Sequence, residues 1–272
     1  VIPERGLQPP SPATAHVLPP LRFFIADLHL DGTATPRARN FHKFLKAISA
    51  YAKDRTVELY IIGDLFEFWY EYRSALFDIY KHDLAALGHA WDAGVNIYLF
   101  YGNRDFAYGK FATARFGATI LGDGQLITLG DSRPLWMEHG DLLCTGDTRY
   151  LRFRSIIRSW PVKVLFWLMP WAIAKRTIGR IRKRTTADKQ QKPKGSIAID
   201  LEFARKRLEE KGGRILLCGH THVPQTEDLG SGYRLIVLPP WCDTPAGMVE
   251  DGSSFKPFAL SDLVEEKAED DA

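Results

Sequence analysis

The chain has 272 residues, 45% of them hydrophobic and 25% charged, which excludes a disordered or fibrous polymer and fits one large domain or a domain with an insertion. Three cysteines (Cys144, Cys218 and Cys242) are too few and too scattered for a disulfide framework; their spacing suits no zinc knuckle, and a reducing cytoplasm fits them best. The net charge of +3 conceals a segregation: residues 149–194 hold fourteen Lys or Arg against one acid, Asp188, while the remainder carries twenty-two bases and thirty-two acids.

Residues 1–20 are proline-rich, with neither an apolar core nor a basic start, so they read as a disordered leader and not as a signal peptide. Residues 21–26 form an apolar, strand-like run that ends at Asp27 and His29. A polar loop stopped by Pro36 follows. Phe41, Phe44, Leu45, Ile48 and Tyr51 then recur at helical spacing, predicting an amphipathic helix over 40–54 with His42 turned outward. A strand over 57–62 delivers Asp64. A second helix over 74–93 faces Leu76, Ile79, Leu84, Leu87 and Trp91 inward and leaves His82 and His89 on the surface. Gly94 caps it, and a strand over 95–101 leads to Asn103. Strand, helix, strand, helix, strand argues for parallel pairing with right-handed crossovers.

Over 118–138 the pattern changes to short strands joined by Gly-Asp turns, which predicts a second, more antiparallel sheet. A helix over 196–211 is closed by Gly212-Gly213, a strand over 215–218 runs into His220 and His222, and residues 233–238 form a final core strand. Residues 263–272 are an acidic tail. The expected fold is α/β, two mixed β-sheets packed as a sandwich and flanked by helices, over a domain of residues 21–262.

Residues 150–195 interrupt this plan. Phe153, Ile156, Ile157 and Trp160 mark one helical face, and 164–174 carries no charge. Spanning a bilayer takes about 20 apolar residues, and Pro161 and Pro170 break this stretch into short helices, so it does not cross a membrane. Short apolar helices flanked by cations suit a lid over a lipid, with bases toward phosphates or headgroups; an ordinary helical hairpin is the plainer alternative. Nucleic acid is the weaker partner, because an apolar run suits acyl chains better than stacked bases.

The strand ends carry the chemistry. Asp27-x-His29, Gly63-Asp64-x-x-Glu67, Gly102-Asn103-Arg104-Asp105, His139-Gly140-Asp141 and Gly219-His220-x-His222 each follow an apolar run, and loops at a sheet's carboxyl edge can gather such residues into one cleft. Singly they are ambiguous: Asp-x-His also serves as a helix cap beside a loop His, and Gly-Asn-Arg-Asp as a β-turn. Together they offer Asp27, His29, Asp64, Asn103, His139, His220 and His222, a ligand set for two divalent metals. Asp64 can bridge because a carboxylate has two oxygens. Asp105 and Asp141 follow ligands and are expected to orient them, and Glu67 to do the same. Arg104 can grip two phosphate oxygens in a fork, or else pair with Asp105 or Asp141.

In this order the five blocks resemble those of the calcineurin-like metallophosphoesterases. Ile25-Ala26-Asp27-Leu28-His29-Leu30, Gly63-Asp64-Leu65-Phe66-Glu67, Gly102-Asn103-Arg104-Asp105-Phe106 and His139-Gly140-Asp141-x-x-Cys144-Thr145-x-Asp147 are similar to the branch of UDP-2,3-diacylglucosamine diphosphatases. The resemblance implies that Asp27, His29, Asp64 and His222 hold one metal and Asp64, Asn103, His139 and His220 the other, both Mn(II). It implies attack of hydroxide on the α-phosphorus of a lipid-linked nucleotide sugar, giving UMP and 2,3-diacylglucosamine 1-phosphate. Asp64, Asn103, Arg104 and His220 would serve catalysis, and Asn103, Arg104, Asp147, Lys194 and His220 would touch substrate. The branch's Ser and Asn substrate contacts in the insertion are absent or replaced here. A cytoplasmic enzyme resting peripherally on the inner face of the inner membrane is implied. A different lipid-linked or nucleotide diphosphate is the alternative substrate, and a non-catalytic binding scaffold the alternative class.

Overall fold

Strand β1 (Leu21–Ile25) sits at the centre of the molecule, buried on both faces. Successive side chains of a strand point to opposite sides, so Phe23 and Ile25 enter one apolar cluster while Phe24, followed by Ala26, enters another. A computed structural model describes residues 18–71, 75–170, 198–242 and 245–263, with 172, 173, 176, 177 and 180 between them.

Strands β2 (Val57–Ile61), β3 (Val95–Phe100) and β4 (Thr119–Gly122) extend the sheet in parallel from β1. Ile25 is in register with Ile61, and Ile61 with Leu99, so three carboxyl ends finish level. On the other edge β10 (Ala246–Glu250) and β11 (Phe255–Ala259) add antiparallel. The second sheet runs β5 (Gln125–Thr128), β6 (Pro134–Met137), β7 (Ile215–Cys218), β9 (Tyr233–Val237), β8 (Gln225–Gly230). Phe24, Tyr60, Ile62 and Phe100 of the first sheet pack on Leu135, Met137, Ile215 and Leu217 of the second. Phe24, Tyr60 and Tyr98 stack in a row with centroid spacings of 5.1 and 4.6 Å, each such pair adding roughly 0.5–1.5 kcal/mol beyond the area it buries.

Helices cover the outer faces. Phe41, Phe44 and Ile48 of α1 (Pro36–Tyr51), Leu84 and Leu87 of α3 (Lys81–Asp92) and Ala112 and Phe116 of α4 (Lys110–Phe116) share one cluster with the first sheet. Ala204 and Leu208 of α7 (Leu201–Lys211) pack with Leu216 and Leu235 of the second. Between the layers' ends, α5 (Thr148–Ile157) and α6 (Trp160–Leu168) form the insertion.

The sandwich of mixed sheets is as the sequence predicts, with local corrections. The loop ends at Pro36, but α1 already begins there and not at residue 40, with the Thr35 hydroxyl accepting from the Ala38 amide. Proline suits the first helical turn because its missing N–H is unneeded there. The helix expected over 74–93 is two, α2 (Ala75–Ile79) and α3, broken at Tyr80, and Ile79 is 39% exposed instead of inward. His42 is half-buried, its Nε2 2.8 Å from Asp83 Oδ1. The second sheet is less antiparallel than expected: β4 joins the first sheet, and β6–β7 and β7–β9 are parallel. The strand at 233–237 is not the last, since β10 and β11 return to the first sheet. Helix α7 starts at Leu201, where Asp200 caps it by accepting from the Phe203 amide. Residues 1–17 of the expected leader, most of the segment 175–195 with Lys194, and residues 264–272 of the acidic tail lie outside the described residues.

Candidate metal centre

Five of the expected ligands share an unusual backbone. Asp27, His29, Asp64, His220 and His222 all have positive φ, between 47° and 72°; among the described residues the other non-glycines so placed are Ser132 and Ser231. A side chain in the left-handed region is held there against steric cost of about 1–3 kcal/mol, and such strain gathers at functional sites. Glycines give the room: a Cβ on Gly63, itself at φ +80°, would lie 2.5 Å from His139 Nδ1, and one on Gly219 2.4 Å from Asp27 Oδ2.

The loops bring these groups together. Asp27 Oδ1 is 3.4 Å from His222 Nε2 and 3.9 Å from His29 Nε2, and the two imidazoles approach to 3.1 Å. Asp64 Oδ2 lies 3.7 Å from His29 Nδ1 on one side and 3.7 Å from His139 Nε2 on the other. Asn103 Oδ1 is 3.2 Å from His139 Nε2. Two groups could each hold a cation: Asp27, His29 and His222, and Asp27, Asp64 and His139. His220 is in neither; its amide donates to Asp27 Oδ2 at 2.8 Å and its ring lies edge-on to His139, centroids 5.1 Å apart.

These residues fit cations better than they fit one another. Asp27 Oδ1 and His29 Nδ1 are buried without a hydrogen-bond partner, and the Asn103 side-chain amide sits against His139 Nε2 and both Asp64 oxygens. Buried polar atoms are rarely left so. Burial, with the charges of Asp105 and Asp27, pushes the Asp64 carboxyl up to about 7 despite His139 opposite it. Burial, with Arg104 and two further imidazoles, pushes His29 down to about 2, against the pull of Asp27. His139 is raised: burial opposes its charge, but Asp64, Asp27 and Asp141 outweigh that. His139 Nδ1 meets the Ile62 carbonyl at 3.0 Å, which turns Nε2 toward Asp64 and Asn103.

The remaining expected residues fall into place around this cluster. Asp105 is fully buried and accepts from the amides of Asp64, Phe66 and Gly102 at 3.1 Å each and from the Tyr108 hydroxyl, so it acts on the ligand loops through their backbone, the amide of Asp64 included. Asp141 accepts from Tyr150 Oη at 2.5 Å and Arg154 Nε at 2.6 Å; it braces α5 instead of a ligand. Burial opposes its charge, yet His139 and Arg154 hold its carboxyl well below the usual range. Arg104 pairs with Glu67, neither with Asp105 nor with Asp141, and its Nε is 3.9 Å from Asp64 Oδ2. Glu67 Oε2 lies 3.5 Å from His29 Nδ1. Asp147 caps α5, accepting from the Tyr150 amide at 3.1 Å. Cys144 is packed, 2% exposed.

Sequence reasoning missed Tyr108, Tyr150, Arg154 and Arg158 as neighbours of the cluster. The last three recur at 150, 154 and 158, one face of a helix. That spacing could have singled them out, but the two arginines were absorbed into the basic insertion. Both are in fact spoken for: Arg154 binds Asp141 and Asp123, and Arg158 binds Asp123 and the Gly102 carbonyl.

A family model for calcineurin-like phosphoesterases matches residues 23–224, and the chain belongs to that family, whose members bind a dimetal centre. It is a metal-dependent hydrolase. A UDP-2,3-diacylglucosamine hydrolase of Haemophilus influenzae (strain PittGG) is 34% identical over 224 residues, 80% of this chain and 90% of that one. Hydrolases of the same name from Ectopseudomonas mendocina (strain ymp) and Neisseria gonorrhoeae (strain ATCC 700825 / FA 1090) are each 32% identical, over 87% and 86% of this chain and 98% and 97% of theirs.

Proposed function

We propose that this chain hydrolyses the pyrophosphate of UDP-2,3-diacylglucosamine at the α-phosphorus, releasing UMP and 2,3-diacylglucosamine 1-phosphate. The observation that carries it is the convergence of Asp27, His29, Asp64, Asn103, His139 and His222 beside an insertion that exposes six large apolar side chains. Two divalent cations at these ligands, Mn(II) in our reading, would neutralise phosphoryl charge and bring a water's pKa toward neutrality. Asp27, His29, Asp64 and His222 would hold the first and Asp64, Asn103, His139 and His220 the second; Asp64 stands between the two sides with equal 3.7 Å approaches. Arg104, 30% exposed at its side chain and paired with Glu67, would fork two phosphoryl oxygens. His220 and Asn103 would touch the same phosphate, and Asp147 and Lys194 the substrate farther out.

The insertion supports a lipid as the other half of the substrate. Ile156, Trp160, Leu165, Trp167, Leu168 and Ile173 are 54–75% exposed, an apolar surface that a solvated hairpin would not carry. No helix among the described residues is long and apolar enough to cross a membrane. In this reading the patch would cover acyl chains and rest on the cytoplasmic face of the inner membrane. Purified protein should release UMP from UDP-2,3-diacylglucosamine in a Mn-dependent manner. Brisk hydrolysis of simple diesters with none of this sugar nucleotide would remove the substrate while leaving the metal chemistry.

A further inference from the structure

Arg158 reaches back from the last turn of the insertion's first helix into the cluster. It is the C-cap residue of α5, and its Nη2 donates to the carbonyl of Gly102 at 2.7 Å, the peptide group that precedes Asn103. The guanidinium also lies 5.0 Å from the Phe106 ring centroid and 5.9 Å from that of Tyr101, on either side of the same loop. Asp123, in the turn between β4 and β5, accepts from both Arg158 and Arg154, at 2.5 and 2.7 Å. One and two helical turns earlier, Arg154 and Tyr150 hold Asp141, in the loop that carries His139, and the Tyr150 ring is 6.1 Å from that of His220. A single face of α5 thus touches the loops of Asn103, His139 and His220, and α6 with its exposed tryptophans continues from the same helix.

We propose that Arg158 is a positioning residue for Asn103, and that through it the placement of α5 sets the geometry of the second cation site. Gly102 is held through both peptide groups that flank it: the amide it forms with Tyr101 donates to Asp105, and the carbonyl of its peptide with Asn103 accepts from Arg158. Releasing Arg158 frees the peptide plane that aims the neighbouring carboxamide. A charged donor spread over two ring faces and a carboxylate cannot be replaced by an apolar chain of similar length. This inference rests on Asn103 being a ligand; it does not depend on which phosphate ester is cleaved.

The test uses the full chain and a small diester, bis(p-nitrophenyl) phosphate, so that acyl contacts with the insertion do not enter. In Arg158→Met, kcat should fall about 10- to 100-fold, and the weaker of the two Mn(II) binding steps should lose affinity by a similar factor, the range for partners that orient metal ligands. KM should change little. Arg158→Lys should recover part of both. Asp123→Asn, at a side chain 52% exposed, should shift both readouts the same way by less, with the fold intact. Arg152→Met, on the exposed side of the same helix, should match the parent. Unchanged metal affinity and kcat in Arg158→Met overturn the proposal, as does a loss that tracks thermal unfolding with both metals bound normally. Failure of the lipid substrate reading would appear instead in the parent protein, as diester turnover without UMP release.

Discussion

At the scale of single residues, the cluster separates groups that serve chemistry from groups that hold it in place. Asp64 accepts a hydrogen bond from the Arg104 amide but otherwise faces imidazoles and the Asn103 amide, so Asp64→Ala removes the carboxylate proposed to bridge the cations and little packing. It should abolish turnover, bind fewer than two equivalents of Mn(II), and shift the unfolding midpoint by only a few degrees; full activity in that variant would make the bridging assignment wrong. Asp105→Ala should behave in the opposite order. It strips a partner from three backbone amides and from the buried Tyr108 hydroxyl. Each orphaned buried donor costs about 1–3 kcal/mol, so a large loss of stability, read by urea unfolding, should accompany the loss of activity.

Among elements, the insertion is where structure and sequence part most. Its apolar and basic composition was legible, and so was its division into short helices, with Pro161 in the first turn of α6 and Pro170 beyond its end. The destination of its charges was not. Arg154 and Arg158 are consumed by Asp141 and Asp123, acids distant in sequence, and no periodicity within the insertion reveals a partner on another element. The split of helix 74–93 was likewise hidden, because Leu76 and Leu84 are buried on both sides of the break. The strand ends were readable because each joins an apolar run to a ligand-type residue, whereas the sheet assignment of β4 depends on pairing with β3, which local pattern does not encode. At this scale the exposed face of α6 makes its own prediction. Trp167→Ser together with Leu168→Ser should leave the melting temperature and diester turnover unchanged, both side chains being more than half exposed. Turnover of an acylated substrate should drop about tenfold or more, since burying one such side chain is worth roughly 1.5–3 kcal/mol. Equal loss on both substrates would argue that α6 packs for structure instead.

The whole molecule is a frame that carries strand ends from two sheets to one rim. Parallel register levels β1, β2 and β3, while the parallel β6–β7 pair, Met137 opposite Leu217, brings the His139 and His220 loops to the same side. Between them the sheets share an apolar interface, and the aspartates and histidines with left-handed backbone sit on the rim above it. Cations that bind only the folded chain stabilise it by mass action. Protein stripped with a chelator should melt several degrees lower than protein with Mn(II) well above its dissociation constant, and an unchanged midpoint would mean that no cation occupies this rim.

In the proposed reaction a pair of cations at this rim drives cleavage of the lipid-linked pyrophosphate. Chelator-stripped protein should therefore be titrated with Mn(II) while UMP release from UDP-2,3-diacylglucosamine is followed. The prediction is no release at the start, and a rise that levels off as the second equivalent binds. Release that persists in chelator, or none at any Mn(II) concentration, would contradict it.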